Sequence, residues 1–286
     1  MRKLTIIFLF LMVNVWFALG WTPPSPITPP DTIPDAIARM NVGILGGSAA
    51  PASAPAKLWA TEAFDFSTDI DEDENWNVFT NGDETYLEAD GAKVTLPAVA
   101  GGEFKKYIAT WNTAASSVNH AIKIKFGQHN LILNAWQSAG VVFRCADAAG
   151  EGSQYQTIIS RKGASDYNVN FDQYTGVTFV DTFATSVINL LDDNDWVGFS
   201  VTGTGASTVF KYWDFGGSDP GAYGSWGTAT IAWCDGGSGC GGTTSIDFDD
   251  ADPTLNTGNY VGFFFGTTDS DDVRAEFLDW VGGDQP

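Results

Sequence analysis

Short runs of alternating apolar and polar residues recur from about Trp59 to the end of the chain, separated by Gly, Asp, Asn and Ser. Typical runs are "AIKIKF", "GVVFR", "YNVNF", "VGFSVTG" and "YVGFFFG", and many of their residues are β-branched or aromatic. Alternation with a period of two indicates β-strands, and no stretch after residue 60 keeps a helical period over three turns. Eleven or more such runs predict an all-β, antiparallel two-sheet jelly-roll sandwich.

The N-terminal stretch "MRKLTIIFLFLMVNVWFALG" has a basic start, an apolar centre and small residues near its end. This layout predicts a secretory signal peptide over residues 1–20, cleaved before Trp21. A retained membrane anchor is the alternative, because the apolar stretch approaches the shortest length that spans a bilayer. Residues 21–58, which begin "WTPPSPITPPDTIP", are rich in Pro, Ala and Gly and predict an extended leader or linker. The sandwich domain is then expected over residues 59–286.

The chain is strongly acidic, with a formal net charge of −21. Such a charge repels nucleic acid and anionic lipid, so neither is expected as a partner, and no membrane contact is expected after signal cleavage. Only 17% of the residues are charged while 14% are aromatic, which favours a folded domain over a disordered one. We therefore expect a folded, acidic protein that is secreted or held at the cell surface.

Three cysteines are present. Cys234 and Cys240 flank the short loop "DGGSG", and in an exported chain they are expected to form a local disulfide, with two free buried thiols as the alternative. Cys145 lies in an apolar strand and is expected to be buried as a small apolar residue. No zinc-binding spacing of Cys and His is present.

The stretch "SAGVVFRCADAAG" places Arg144 within an apolar strand. Simple alternation puts Val141, Phe143 and Cys145 on one face of the sheet and Arg144 on the other. If the first face is the core, Arg144 points outward. Three possibilities follow for the arginine: bare solvent, a binding surface, or a buried ion pair.

The order of landmarks along the chain resembles the concanavalin A-like lectin/glucanase sandwiches, including laminin-G-like modules. An opening "F-D-F" (Phe64–Phe66) leads to Trp76, and a central "G-V-x-F-R" strand spans Gly140 to Arg144. Hairpin strands rich in Tyr and Asn, the element "WVGFSVTGTG" and the closing "NTGNYVGFFFG" and "DSDDVRAEFLDW" follow in order. The resemblance covers about residues 60–283. It implies two face-to-face sheets, with ligands on the concave sheet or on loops at its rim.

Alternation also predicts which polar residues point outward and line such a surface. In "YNVNF" the apolar set faces the core and the asparagines face outward, and in "AIKIKF" the lysines face outward. The stretch "YWDFGGSDPGAYGSWGTATIAW" adds aromatic rings in what its Gly and Pro content predicts to be an exposed loop. Amides, cations and aromatic rings together suit the hydroxyls and C–H patches of sugars. The predicted carbohydrate-binding residues are Arg144, Gln156, Asn168, Asn170, Lys211, Trp213, Tyr223 and Trp226.

Catalysis finds less support in the sequence. Glucanases of this fold carry E-x-D-x-E or E-x-D-x-x-E on one strand, and the nearest candidate, "LEADGAK", offers Glu88 and Asp90 but ends with Lys93. The alginate-lyase motifs and a serine nucleophile elbow are absent from the sequence. A polysaccharide hydrolase or lyase stays an alternative, without assigned catalytic residues.

Acidic clusters recur in the turns and could supply oxygen ligands to structural Ca2+. None follows the EF-hand pattern, and solvated acidic turns are the alternative explanation. The candidate metal ligands are Asp69, Asp71, Asp73, Asp247 and Asp249.

The sequence thus favours a secreted, non-catalytic, lectin-like protein that binds extracellular glycan. A second hypothesis is a structural subunit of a surface layer, filament or particle. In that case the proline-rich leader could reach a neighbouring copy and mediate self-association.

Overall fold

The computed structural model describes residues 59–64, 70, 73–81, 88–89, 93–95, 105–129, 138–161, 166–189, 191–235, 244–246, 256–267 and 275–285. The predicted signal peptide and leader lie outside these residues, so the boundaries at residues 20 and 58 stay predictions. Within the described ranges, no helix is long and apolar enough to cross a membrane.

In the described part of the chain, sixteen strands form two sheets. The nine-stranded sheet contains β1 (Trp59–Glu62), β3 (Glu88–Ala89), β4 (Val94–Thr95), β6 (His120–His129), β11 (Trp196–Thr202), β12 (Val209–Gly216), β13 (Ile231–Asp235), β14 (Thr244–Ile246) and β16 (Ala275–Asp284). Its strand order is β14-β13-β12-β11-β6-β16-β4-β3, and β1 also pairs with β16. The β13–β14 pair is parallel, and the other pairs of this sheet are antiparallel.

The seven-stranded sheet contains β2 (Trp76–Thr80), β5 (Lys105–Trp111), β7 (Ser138–Cys145), β8 (Ser153–Arg161), β9 (Asp166–Thr175), β10 (Thr178–Asn189) and β15 (Tyr260–Thr267). Its order is β10-β9-β8-β7-β15-β5-β2, with antiparallel pairing throughout. Short 3-10 turns occupy Gly205–Ser207 and Tyr223–Ser225. The predicted all-β, antiparallel two-sheet sandwich is confirmed.

The main core lies between the inner faces of the two sheets. Side chains from both sheets pack in one cluster, among them Ile122, Phe199, Val141, Phe171 and Phe263. The period-two patterns explain this arrangement, because they place one side of each strand against the opposite sheet. In β6 the predicted alternation is confirmed: Ile122, Ile124 and Phe126 belong to the core, and Lys123 lies on the outward face.

Candidate functional site

The predicted carbohydrate-binding residues fall in three different places. Gln156, Asn168 and Asn170 lie on the outward face of the seven-stranded sheet, on the adjacent strands β8 and β9. Lys211 and Trp213 alternate with the core residues Phe210 and Tyr212, so they lie on the outward face of the other sheet. Arg144 lies on neither outward face.

The outward face of the seven-stranded sheet carries the predicted amides in register. Gln156 lies opposite Asp172, which in turn lies opposite Thr182 on β10. Asn170 lies two residues before Asp172 on β9, and Asn168 lies two residues before Asn170, so all three face the same side of the sheet. The prediction that these amides point away from the core is confirmed, because the core residues Tyr167, Val169 and Phe171 alternate with them. We call this surface the amide face.

The amide face is concave. The Lys106 Nζ, which belongs to β5, lies 3.1 Å from the centroid of the Tyr174 ring on β9 and 4.6 Å from the Phe264 ring centroid. Four inter-strand spacings separate β5 from β9, about 19 Å on a flat sheet, which exceeds the combined reach of the two side chains. The contact therefore requires the sheet to curve strongly toward the solvent side, as a twisted sheet does along one diagonal.

Several polar atoms on the amide face are buried without a hydrogen-bond partner. They are both amide atoms of Gln156 and the Oε1 of Gln154 on β8, and the Oδ1 atoms of Asn170 and Asp172 on β9. Buried polar groups in folded proteins nearly always have a partner, so an orphaned cluster requires an explanation. Five such atoms on two adjacent strands, next to aromatic rings, form a surface that can pair with the donors and acceptors of a ligand.

Burial also changes the ionisation of the two charged groups in this surface. Desolvation raises the pKa of the Asp172 carboxyl to about 6, although a hydrogen bond from Thr182 and the charge of Lys106 act in the opposite direction. Desolvation lowers the pKa of the Lys106 ammonium well below its ordinary value. In both groups burial favours the neutral form relative to the free side chain, although a carboxyl with a pKa of about 6 is still largely ionised at neutral pH.

Sequence reasoning missed Lys106, Tyr174 and Phe264 as parts of this surface. Alternation in "KKYIATW" could have indicated Lys106, since Tyr107 and Ala109 face the core and leave the lysine on the opposite side. The contact between Lys106 and Tyr174 depends on the curvature of the sheet, and the sequence carries no local signal for it.

The prediction that Arg144 points outward is wrong. The residue is fully buried, at 0% exposure, and its backbone has a φ of 50°. A register shift between Tyr260 and Gly262 marks a β-bulge at this position, because Cys145 pairs with Tyr260 while Val142 pairs with Gly262. The bulge reverses the alternation, so Arg144 turns inward like Phe143, and Cys145 joins Val142 in a separate outward cluster.

The guanidinium of Arg144 holds two loops at one end of the sandwich. Its Nε donates to the carbonyl of Val118 at 2.8 Å, and one Nη donates to the carbonyl of Gly203. The carbon of the guanidinium lies 6.0 Å from the Tyr155 ring centroid. Among the described residues no carboxylate pairs with it, so the buried ion pair considered from the sequence is not seen. Arg144 acts as a structural clamp that binds backbone carbonyls.

His120 packs beside this clamp. Its Nδ1 accepts a hydrogen bond from the Arg144 backbone N–H at 3.4 Å, and its Nε2 lies 2.7 Å from the carbonyl oxygen of Ser117, to which it donates. Both contacts suit a neutral ring with the proton on Nε2. Burial lowers the pKa of His120 to about 4, and the nearby Arg144 charge acts in the same direction.

The stretch predicted to be an exposed loop is exposed at most positions from 217 to 230, but its tryptophan rings are not. Trp213 and Trp226 are buried and pack with Ala121 on the outward face of the nine-stranded sheet, with Tyr223 half-buried against them. The indole N–H groups of both tryptophans are used internally, donating to the carbonyls of Gly227 and Gly221. Residues 217–230 therefore form a lid over this face, and the lid leaves little of either indole ring open to a sugar.

The lid carries one ion pair to the sheet, from Asp219 to Lys123. The side chain of Asp219 is 55% exposed, so solvent screens the attraction and hydrophobic contacts of the tryptophans dominate. We expect Asp219→Asn to lower the free energy of unfolding by no more than about 1 kcal/mol. Urea unfolding followed by tryptophan fluorescence measures this. A larger loss would mean that the ion pair, rather than the indole packing, holds the lid.

The predicted disulfide and calcium ligands lie mostly outside the described residues. Cys234 is disulfide-bonded and Cys145 is a free buried thiol, whereas Cys240 is outside, so the pairing of Cys234 with Cys240 stays a prediction. Burial raises the pKa of Cys145 to about 12. The candidate calcium ligands Asp69, Asp71, Asp247 and Asp249 are outside as well.

Asp73, the described member of the calcium set, accepts a hydrogen bond from the Asn75 backbone N–H at 2.8 Å. No group of three or more His, Cys, Asp or Glu suited to a metal ion occurs within the described ranges. Of the two candidate catalytic acids, Glu88 lies in β3 of the nine-stranded sheet, on the sheet that does not carry the amide face, and Asp90 is outside the described residues.

Comparison with known proteins yields structural similarity only. No protein-family model and no curated protein matches the chain. Among solved structures, the carbohydrate recognition domain of Emp46p matches with 9% identity and a TM-score of 0.45, covering 77% of this chain and 94% of that one. The VIP36 exoplasmic/lumenal domain in its Ca2+/Man3GlcNAc-bound form matches with 9% identity and a TM-score of 0.44, covering 79% and 90%.

Rv0315, a pseudo beta-1,3-glucanase of Mycobacterium tuberculosis, matches with 13% identity and a TM-score of 0.45, covering 80% of this chain and 99% of that one. With TM-scores below 0.5 and identities of 9–13%, these similarities carry no conclusion about function.

Proposed function

We propose that this protein is an exported, non-catalytic β-sandwich that binds glycan on the amide face. The observation that supports the proposal is the cluster of orphaned polar atoms on Gln156, Asn170 and Asp172 beside the rings of Tyr174 and Phe264. Sugar hydroxyls can donate and accept at once, and sugar C–H patches pack on aromatic rings, so a glycan matches both parts of the surface. Export is supported by the N-terminal sequence pattern.

The charge of the protein favours a neutral glycan. A net charge of −21 repels uronic acids and sulfated sugars at a distance. Within the amide face, Lys106 is covered by aromatic rings and its pKa is lowered by burial, so it offers no free cation to an acidic sugar. Structural Ca2+ elsewhere in the chain stays a proposal that rests on the acidic clusters of the sequence.

Gln156→Met is expected to raise the stability of the protein and to lower its affinity for glycan. The substitution keeps the length of the side chain and removes an amide that lacks partners, so we expect the free energy of unfolding to rise by about 1–3 kcal/mol. The affinity for any glycan that the wild-type protein retains should fall at least about tenfold, because the sugar hydroxyls lose the Gln156 amide as a hydrogen-bond partner. The measurements are urea unfolding and retention on a panel of neutral polysaccharides and glycan arrays.

Gln154 supplies a matched control on the same strand. Its Nε2 already donates to the carbonyls of Gly150 and Gly176, both at 3.1 Å, while its Oε1 has no partner. Gln154→Met should therefore destabilise the protein, since two buried carbonyls lose a donor. A folded protein that no neutral glycan retains would refute the binding function. Equal destabilisation by both substitutions would show that the Gln156 amide is structural.

A further inference from the structure

The turn that joins β9 to β10 lies across the concave amide face. The strand order places β2 and β10 at opposite edges of the seven-stranded sheet. Gly176, at the turn, nevertheless lies against Phe79 of β2, since a Cβ on this glycine would come within 2.8 Å of the Phe79 ring. Val177 packs against the same outward cluster, which includes Tyr174. We call residues 174–180 the flap.

Hydrogen bonds fix the flap to β8 and to the turn between β7 and β8. The Gly176 backbone N–H donates to the carbonyl of Gly152 at 3.1 Å, and the Gln154 Nε2 donates to the carbonyl of Gly176 at 3.1 Å. The β7–β8 turn is itself anchored on the sheet, because the Thr110 Oγ1 donates to the carbonyl of Ala148. The flap thus rests on a fixed support, from which it can separate at Gly176.

The inner side of the flap covers a polar group of the amide face, and its outer side faces solvent. Tyr174 is buried, with its ring over the Lys106 Nζ. Thr175 and residues 178–180 are exposed. The flap therefore lies between Lys106 and the solvent.

The hairpin is irregular where the flap joins it. Register shifts on β10 lie on both sides of Asp181, the first directly after Phe179 and the second before Ala184. Bulges of this kind leave a residue unpaired and disrupt the ladder locally. From Ala184 onward β10 pairs in continuous register, and Ala184 and Ile188 pack in the core. The bulges therefore mark the place where the flap can bend away from a firmly held hairpin.

We propose that the flap opens as a unit about these bulges and controls access to the amide face. Opening breaks the hydrogen bonds at Gly176 and lifts Tyr174 off Lys106. It also gives a ligand a route to Gln156 and Asp172, the next outward pair along β8 and β9. Such an opening requires far less free energy than global unfolding, because the core between the sheets stays intact. That the ligand is a glycan rests on the function proposed above, whereas the opening itself does not.

Acetylation of Lys106 reports the opening in the absence of any ligand. The full chain is treated with an amine-acetylating reagent, and mass spectrometry compares Lys106, which is almost fully buried, with its partly exposed neighbour Lys105. We expect Lys106 to react more slowly than Lys105, at a rate that low concentrations of urea hardly change, because a local opening exposes little surface. A rate that rises with urea as steeply as global unfolding does, or that equals the rate of Lys105, overturns the proposal.

Gly176→Ala should raise the ratio of Lys106 to Lys105 acetylation at least about tenfold. The added Cβ meets the Phe79 ring only when the flap is closed, so it favours the open form. Gly216→Ala is the matched control on the other sheet. Gly216 has nearly the same φ, +57° against +54° for Gly176, but the nearest atom to an added Cβ there lies 3.9 Å away. The control should leave the ratio unchanged.

Phe79→Ala is a second test, which removes the ring beneath Gly176 without straining the backbone of the flap. It should raise the same ratio, and thermal melts verify that each variant is folded. An equal rise with Gly216→Ala, or no rise with the folded Gly176→Ala and Phe79→Ala proteins, overturns the proposal. Since no glycan is present, the outcome is separate from the proposed function: an opening flap on a protein that retains no polysaccharide would refute the glycan alone.

Discussion

Arg144→Ala is expected to lower the free energy of unfolding by about 3–5 kcal/mol. The substitution removes charge-assisted hydrogen bonds to the carbonyls of Val118 and Gly203 and leaves a void in a fully buried site. Surface arginines contribute far less, so the size of the loss tests the clamp directly. Equilibrium urea unfolding gives the value. A loss below about 1 kcal/mol would show that the buried guanidinium does not hold the loops.

Arg144→Gly provides a control for the backbone at the same position. A φ of 50° is unfavourable for any residue with a Cβ, whereas glycine adopts it freely. Gly258 packs against this bulge so closely that a Cβ on it would lie 2.0 Å from the Arg144 carbonyl oxygen. We therefore expect the glycine variant to exceed the alanine variant in stability by about 1 kcal/mol, the reverse of the usual order within strands. An alanine variant that is more stable than the glycine variant would contradict the left-handed conformation at this position.

His120 is expected to make the protein sensitive to mild acid. Its pKa is lowered from 6.5 to about 4 in the folded protein, so the unfolded chain binds a proton that the folded chain does not over this interval. The stabilisation by the neutral ring is complete above pH 6.5 and is lost progressively as the pH falls toward about 4. The difference corresponds to roughly 3 kcal/mol.

His120→Gln removes this titration while keeping a donor and an acceptor near Ser117 and Arg144. The variant should lose less stability than the wild type between about pH 7 and pH 4, whatever its stability at neutral pH. Urea unfolding at a series of pH values gives, for each protein, the slope of the free energy of unfolding against pH. Because the carboxylates titrate in both proteins, the difference between slopes reports the histidine alone. Parallel pH profiles would mean that the ring is accessible to protons in the folded state.

Alternation predicted the inner and outer faces of the strands wherever the backbone keeps a continuous register. Gln156, Asn168 and Asn170 were placed correctly for this reason, and so was Lys123 on the opposite sheet. Arg144 was placed wrongly because a bulge inserts a residue with positive φ into the strand. After this residue, the side chains that simple alternation assigns to one face of the sheet lie on the other. The sequence "VVFRCA" carries no glycine or asparagine to indicate such a backbone.

The aromatic lid shows a different limit of sequence reasoning. Its glycines and proline are typical of exposed loops, and most of its positions are exposed, yet its tryptophan rings pack closely on the sheet. Space for it comes partly from Gly198 on β11, where a Cβ would lie 2.6 Å from the Phe215 ring and 2.9 Å from the Trp226 ring. The gain from burying large aromatic side chains outweighs the preference of such loops for solvent. This pairing of a distant glycine with two rings cannot be derived from local sequence patterns.

The burial of the amide face has a consequence for the affinity of anything that binds it. Gln156 is fully buried and Lys106 is almost fully buried, so a ligand reaches the orphaned amide only in molecules in which the face has opened. The measured affinity then equals the intrinsic affinity reduced by the fraction of open molecules. A substitution that favours the open form would raise the measured affinity without adding any contact to the ligand.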